Sequence, residues 1–366
     1  MSNFNPIKAQ SVKRTLNEAR DVVKRCLMTD NIPMIWGPSG VGKTEMIEDF
    51  IRSIPNCRMI LLSLASRDPL DFTGVPSIVE ERTVTNDPRL VPLAGDSLGF
   101  DAESKLYTSV VVYVDELPEG DTPTLKAIYR LLNERMVNDS MIHPDVRFVA
   151  SGNPASTGAY TEKLLPTVAN RMMHIEVDIC HNEWIAWATN KGISPVHRAF
   201  IASNPQLLSN YKPDSPEDAF ATPRTHVRLD AYMHGDKFTD KSLIAQGAPV
   251  QFLGKEVGLA LLSFAEATDL PPMEDILRNP LGFNIDILKP GSMFLLGQSL
   301  VSAADGSNIE AVLQIMGRMA SNHRAINFMC LKSLPPVKLS ELMQNPVFAQ
   351  FVVDNKSLLE LIKKVK

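Results

Sequence analysis

The sequence of 366 residues contains little cysteine and no long apolar run. Its four cysteines are scattered, without a CxxC pair or the spacing of a metal site, so we expect reduced thiols and neither a disulfide framework nor a zinc site. No stretch approaches the roughly 18 to 20 apolar residues that a membrane-spanning helix requires. The first twenty residues lack the apolar core of a secretory signal. We therefore expect a cytoplasmic protein without membrane association.

The chain also has little excess charge of either sign. Lys plus Arg number 37 and Asp plus Glu number 42, which gives a formal net charge of -5. Sequence-independent coating of nucleic acid requires a basic surface, so this balance disfavours that class of protein, although a local basic groove remains allowed. The hydrophobic fraction of 44% is ordinary for a globular protein and excludes a disordered chain.

Short apolar segments that alternate with helical patterns predict an α/β fold in the first half of the chain. A helix is predicted over residues 7–28, and further helices over 45–54 and from residue 121. The five strand candidates are residues 31–36, 58–62, 110–114, 147–151 and 172–177. Because these strands are apolar on both faces, we predict a mostly parallel five-stranded sheet covered by helices on both sides.

After about residue 178 the strand-like runs disappear. We therefore predict an α/β domain over residues 1–178 and an all-helical part over 179–366. Residues 212–225 are rich in Pro, Asp and Thr and are predicted to form a loop. The helix candidates are residues 183–191, 195–203, 254–268, 291–304, 309–320 and 357–366.

The sharpest motif is a Gly-rich segment between the first strand candidate and a helix. It matches G-x-x-x-x-G-K-[ST] and reads Gly37-Pro38-Ser39-Gly40-Val41-Gly42-Lys43-Thr44. The glycines let successive backbone N–H groups face the phosphates of a nucleotide, and the following helix presents its positive end to the same charge. Lys43 is expected to reach the β- and γ-phosphates, and the hydroxyl of Thr44 to ligate Mg²⁺. The motif predicts ATP and Mg²⁺ as ligands.

Two acids end the third strand candidate, at the edge of the sheet where ligands bind in α/β folds. We expect Asp115 to hold Mg²⁺, directly or through water. Glu116 is expected to orient and deprotonate the water that attacks the γ-phosphate.

Three further polar residues are candidates for the same chemistry. Asn153 follows the fourth strand and is expected to hold the attacking water, the alternative being a turn-forming Asn before Pro. Arg171 opens the fifth strand and is a candidate arginine finger for a neighbouring subunit, the alternative being an intramolecular ion pair. Arg224, in the helical part, is a candidate for closing that part over the nucleotide.

Taken together, these motifs resemble those of AAA+ ATPases, and within that superfamily those of the MoxR branch. The similar segments are Gly37 to Thr44 (Walker A), Val110 to Glu116 (Walker B), Ser151-Gly-Asn-Pro154 (sensor 1), Asp71-Phe-Thr-Gly-Val-Pro76, the helix over 125–137, and Thr222-Pro-Arg224 (sensor 2). The resemblance covers about residues 30 to 230. Residues 240–366 are similar to bacterial and phage relatives with weaker landmarks, and a phage origin would place the protein in the host cytoplasm.

Two segments depart from that pattern. The family often reads D-E-[IL]-N-R after Walker B, whereas this chain reads Asp115-Glu-Leu-Pro-Glu-Gly120 and lacks the Asn and Arg. The finger segment usually reads D-R-F and is Asn170-Arg-Met172 here, with Arg171 retained. The resemblance also implies a hairpin inserted near residues 71–100, for which the alternative is an active-site lid loop.

The resemblance implies an ATPase that assembles into a ring, most often a hexamer, and remodels or activates a protein client. A partner carrying a von Willebrand A domain is implied on the same ground, and the helical part would act as a lid. Two alternatives remain: a nucleic-acid-handling AAA+ motor, for which Arg82 and Arg89 are candidate phosphate contacts, and a scaffold that uses ATP only to assemble.

Overall fold

The computed structural model describes residues 13–79, 82–85, 88, 90–154, 164, 166–211, 218–233, 247–267, 270–322, 330, 334 and 336–354. The chain forms two compact units, Met1–Ile179 and Cys180–Lys366. The sequence predicted a boundary after residue 178.

The centre of the first unit is the predicted five-stranded sheet, which the structure confirms. Its strands are β1 (Ile32–Trp36), β2 (Cys57–Ser63), β5 (Ser109–Asp115), β8 (Val146–Gly152) and β9 (Met172–Glu176). They lie in the order β2-β5-β8-β1-β9, and every neighbouring pair is parallel. Since β8 lies between β1 and β5, the segments that follow these three strands meet at one edge of the sheet.

Alternation along β5 explains why both faces of the sheet are covered. Val110, Val112 and Val114 pack into one apolar core, while Val111 and Tyr113 pack into the core on the opposite face. All five side chains are buried. A strand that is apolar on both sides is stable only between two helical layers, as the sequence predicted.

The helices of the first unit cover these two faces. They are α1 (Leu16–Met28), α2 (Lys43–Arg52), α3 (Pro69–Thr73), α4 (Thr122–Asn133) and α5 (Pro166–Ala169). The prediction of a helix over residues 7–28 was wrong for residues 13–15, and residues 7–12 lie outside the described part. Thr15 is extended and caps α1, with Glu18 completing a capping box, so the helix starts at Leu16.

The helix predicted to run to residue 137 also ends earlier. The structure ends α4 at Asn133, and Arg135 has a left-handed φ of 54° that no helix continues through. Residues beyond it form a short antiparallel hairpin, β6 (Met136–Val137) with β7 (Ser140–Met141).

A second hairpin lies in the segment where the resemblance implied an insertion. It pairs β3 (Pro76–Val79) with β4 (Arg82–Thr85) in antiparallel register, with Ser77 opposite Val84.

The second unit is helical wherever its elements are described. Its helices are α6 (His181–Asn190), α7 (Pro195–Ser203), α8 (Pro223–Tyr232), α9 (Ala248–Ala267), α10 (Met273–Arg278), α11 (Pro290–Ala303), α12 (Ile309–Asn322), α13 (Pro336–Met343) and α14 (Pro346–Asp354). Gly254 interrupts α9 with φ 78° and ψ 168°, so a kink separates its two parts. Among the described residues, no helix is both long and apolar enough to cross a membrane.

In the second unit, a helix begins inside one segment that was predicted to be a loop. The loop predicted over 212–225 was wrong for its last residues, because Thr222 caps α8 and the helix begins at Pro223. Thr225 returns the capping hydrogen bond. The helix predicted over 357–366 lies outside the described residues.

Candidate nucleotide-binding site

The candidate site lies where β1, β5 and β8 end. The loop of residues 37–42 follows β1, Asp115 is the last residue of β5, and Asn153 follows β8. These segments come from distant parts of the sequence and meet because their strands are parallel neighbours.

The loop after β1 depends on its glycines. Gly40 and Gly42 adopt φ values of 74° and 107°, which favour glycine. A β-carbon at Gly37 would overlap the Cγ2 atom of Val177, so only glycine allows this close approach. Gly42 occupies the N-cap of α2, and no side chain caps that helix. The first turn of α2 therefore points backbone N–H groups at the loop, as an anion site requires.

The ammonium group of Lys43 is buried within the loop. Its Nζ atom donates to the carbonyl oxygens of Gly37 at 2.7 Å and Pro38 at 3.1 Å. It also donates to Oδ1 of Asn153 at 2.9 Å. Lys43 is only 8% exposed, and a buried charge requires polar partners. Protein oxygens supply these partners at the place where phosphate oxygens are expected.

Thr44 and Asp115, which the sequence predicted as ligands of one Mg²⁺, lie next to each other in the structure. The Thr44 hydroxyl donates to Oδ2 of Asp115 at 2.9 Å. The other carboxylate oxygen accepts from the Ser151 hydroxyl and from the backbone N–H of Glu116. A hydroxyl and a carboxylate are the hard oxygen donors that Mg²⁺ prefers, so these two residues fit the ion.

Tyr113 and Ser151 are parts of the site that the sequence analysis missed. Tyr113 is fully buried, and its hydroxyl donates to Ser151 Oγ at 2.8 Å. Burial, followed by the charge of Asp115, raises the pKa of Tyr113, which keeps it a neutral donor. Together the two hydroxyls fix the Asp115 carboxylate. The sequence did contain a signal for them, because Tyr113 and Ser151 carry hydroxyl groups within the mostly apolar strands β5 and β8.

Glu116 has an unusual backbone for an acidic residue. Its φ and ψ of 57° and 37° are left-handed, so the chain turns sharply after β5. Its Oε2 atom accepts from the hydroxyl of Ser63, the last residue of β2, at 3.0 Å. Ser63 was not anticipated, because contact between β2 and β5 depends on the strand order.

Asn153 contacts two charged groups rather than serving only as a turn residue before proline. Besides accepting from Lys43, it donates from Nδ2 to Oε1 of Glu119 at 2.9 Å. Glu119 was also missed as a site residue, although it lies in the segment that departs from the family pattern. Burial, then the charge of Glu116, raises the pKa of Glu119.

Arg171 lies at the opposite edge of the sheet from this site. It precedes β9, in which Met172 pairs with Ile32, the first residue of β1. Ile32 lies five positions before Gly37, where the Gly-rich loop begins, which is about 16 Å at roughly 3.3 Å per residue. Arg171 is exposed, and within the described residues its side chain has no ion-pair partner. The intramolecular ion pair considered from sequence is therefore not observed there.

Arg224 belongs to the second unit, where it is exposed in the first turn of α8. Its role at the nucleotide stays a prediction.

The loop of residues 37–44, the acids that end β5 and the position of β8 between β1 and β5 establish the fold. The first unit has the fold of a P-loop NTPase. The helical unit follows it in the chain.

Comparisons with known proteins find similarities to solved structures. No protein-family model and no curated protein matches the chain. Among solved structures it is similar to NtrX from Brucella abortus in complex with ATP, at 12% identity and a TM-score of 0.37, over 96% of this chain and 68% of that one. It is also similar to the Thermotoga maritima RuvB Holliday junction branch migration motor, at 15% identity and a TM-score of 0.32, over 73% and 75% of the two chains.

Proposed function

We propose that this protein is an AAA+ ATPase that binds ATP with Mg²⁺ and hydrolyses it to ADP and phosphate. One observation carries the proposal. Lys43 donates to Asn153, and the next residue, Thr44, donates to Asp115, so the four side chains meet beside one Gly-rich loop. Each has the chemistry needed at a different part of a bound triphosphate.

Binding is assigned to the loop and to the first turn of α2. Backbone N–H groups of residues 39–44 donate hydrogen bonds to the phosphate oxygens, and Lys43 exchanges its carbonyl and amide contacts for phosphate oxygens. Thr44 and Asp115 hold Mg²⁺, which neutralises charge on the phosphates when bound. The hydrogen bond from Ser151, whose hydroxyl oxygen accepts from Tyr113, keeps the Asp115 carboxylate in place for this role.

Hydrolysis is assigned to Glu116 and Asn153. The Glu116 carboxylate takes a proton from the attacking water, and the hydrogen bond from Ser63 sets its starting orientation. Oδ1 of Asn153 accepts a hydrogen bond from the same water after Lys43 has turned to the phosphates. Both groups lie at the ends of neighbouring parallel strands, which supports a common substrate.

Assembly completes the proposed active site. Because Arg171 lies at the far edge of its own sheet, it would serve as an arginine finger for an adjacent subunit. We propose a homo-oligomeric ring, most simply a hexamer, of the MoxR type, in which the helical unit and Arg224 respond to the nucleotide. The ring would remodel a protein client, with a von Willebrand A-domain protein as the proposed partner.

The decisive experiment measures phosphate release by the purified chain with ATP and Mg²⁺. The wild-type protein should turn over ATP, while Glu116→Gln should bind ATP, release at least about a hundredfold less phosphate, and accumulate as assembled rings. Glu103→Gln is the matched control, because that carboxylate is exposed and pairs with Lys105. Wild-type turnover by Glu116→Gln would remove Glu116 as the base, and no turnover by the wild type would refute the ATPase.

The same assay separates the protein-remodelling proposal from the motor and scaffold alternatives. Salt-sensitive stimulation of turnover by DNA or RNA would favour a nucleic-acid motor. Arg89 and the side chain of Arg82, the candidate phosphate contacts for that alternative, lie outside the described part of the structure. Assembly on ATP without any turnover would favour a scaffold.

A further inference from the structure

Glu119 and Lys43 each form a hydrogen bond with the side-chain amide group of Asn153. Asn153 donates from Nδ2 to Glu119 and accepts through Oδ1 from Lys43, at 2.9 Å in both cases. A carboxylate accepts and an ammonium group only donates, so both partners demand the same orientation of this amide. The oxygen therefore faces the Gly-rich loop, and the NH₂ group faces away from it.

The polypeptide is built to keep Glu119 beside the end of β8. After the left-handed turn at Glu116, residues Leu117–Glu119 form one 3₁₀ turn, closed by a hydrogen bond of 2.9 Å from the Glu119 N–H to the Glu116 carbonyl. Leu117 and Pro118 are buried. Gly152, the last residue of β8, lies so close that a β-carbon there would overlap the ring of Pro118.

Glu119 becomes more important when a nucleotide arrives. Lys43 is then needed at the phosphates and no longer holds Oδ1 of Asn153. Glu119 alone still fixes the amide, and without it the group would be able to turn its NH₂ end toward the attacking water. An NH₂ group cannot accept a hydrogen bond from that water.

We propose that Glu119 is a positioning residue for ATP hydrolysis, which keeps the Asn153 amide oxygen directed at the attacking water. The inference rests on the proposed ATPase function and adds to it a residue outside the Walker and sensor motifs. Glu119 lies in the stretch in which the Asn and Arg implied by the resemblance are missing.

The test compares turnover and nucleotide affinity in Glu119→Ala and Glu119→Gln. Loss of a hydrogen bond to a charged group should lower kcat of Glu119→Ala by about tenfold or more, with the affinity for ATP changed by less than about threefold. Glu119→Gln keeps an acceptor oxygen and should retain most of the turnover. Glu103→Ala, on an exposed turn of the same unit, is the matched control.

A double-mutant cycle with Asn153→Ala separates positioning from a general structural effect. If Glu119 acts through Asn153, the double variant should lose no more activity than Asn153→Ala alone. Additive losses, an unchanged kcat in Glu119→Ala, or equal damage in Glu119→Gln would each overturn the inference. Should Glu119→Ala fail to fold, Glu119→Met keeps the side-chain length without an acceptor and is held to the same outcomes. An inactive wild-type protein would instead refute the ATPase function, on which the inference depends.

Discussion

Lys43 Nζ and Asn153 Oδ1 lie 2.9 Å apart, although 110 positions separate the two residues in the chain. Their contact joins the loop after β1 to the end of β8. Two backbone carbonyls also accept from the same ammonium group. An incoming phosphate must therefore replace hydrogen bonds that already exist, and nucleotide binding should release Asn153 for contact with water.

The position of Arg171 predicts that each active site combines Glu116 of one subunit with Arg171 of its neighbour. Arg171→Ala and Glu116→Gln should each be inactive alone, because one lacks the finger and the other the base. When the two proteins are mixed, some interfaces pair an intact Glu116 with an intact Arg171, and part of the phosphate release should return. Mixed rings that form but stay inactive would count against the role of Arg171 in trans.

Gly152 packs so closely against Pro118 and Met34 that a larger residue there should destabilise the first unit. In Gly152→Ala the new β-carbon would overlap Pro118 and lie 2.9 Å from Cε of Met34. We expect a loss of about 1–3 kcal/mol in the free energy of unfolding, measured by denaturant titration of the first unit's transition. Gly317→Ala, followed in the second unit's own transition, is the control, since no described atom outside its own helix lies within 4 Å of the added carbon and the helix should gain up to about 1 kcal/mol. Equal stability of both variants would contradict the close packing.

A buried histidine predicts how the second unit responds to pH. His226 Nε2 donates to the Leu207 carbonyl at 3.0 Å, so its Nδ1 atom accepts from His197 Nε2 at 2.8 Å. Burial, then the charge of His197, lowers the pKa of His226 to about 3. Below an unfolded pKa of about 6.5, the unfolded chain therefore binds a proton that the folded chain does not. Stability should fall by up to about 1.4 kcal/mol per pH unit as the pH drops from 6.5 toward 3.

Tryptophan fluorescence allows this slope to be measured for the second unit alone. The chain has three tryptophans, and Trp36→Phe leaves Trp184 and Trp187, which both belong to α6. In that background His226→Gln should show a shallower loss of stability between pH 6.5 and 5, because Gln keeps a donor and an acceptor without a titrating group. The same slope with and without His226 would show that its neutrality does not set the acid response.

Much of the fold follows from local pattern. The β-branched run of residues 110–114 and the Gly-rich loop after a short apolar strand were sufficient to predict the parallel sheet and its ligand-binding edge. Boundaries were less accurate where a single residue decides them. Thr15 and Thr222 start helices through capping boxes that the apolar periodicity did not locate, and the left-handed Arg135 follows a helix that was predicted to continue.

The site was only partly predictable because its supporting contacts cross the sheet. Ser63 reaches Glu116 only because β2 pairs with β5, and Glu119 reaches Asn153 only because β8 lies beside β5. No spacing in the sequence encodes those neighbours. Phosphate loops and terminal acids have fixed local signatures, whereas residues that orient them are recognised from strand order and side-chain contacts.

The central claim is that a triphosphate binds where the Lys43 ammonium group now meets three protein oxygens. Equilibrium binding of ATP with Mg²⁺ tests it most directly, using Glu116→Gln so that the nucleotide is not consumed. Adding Lys43→Ala to that background should abolish detectable binding, while adding Lys105→Ala, an exposed lysine in a surface pair, should leave the affinity unchanged. ATP that binds equally well with and without Lys43 would contradict the account.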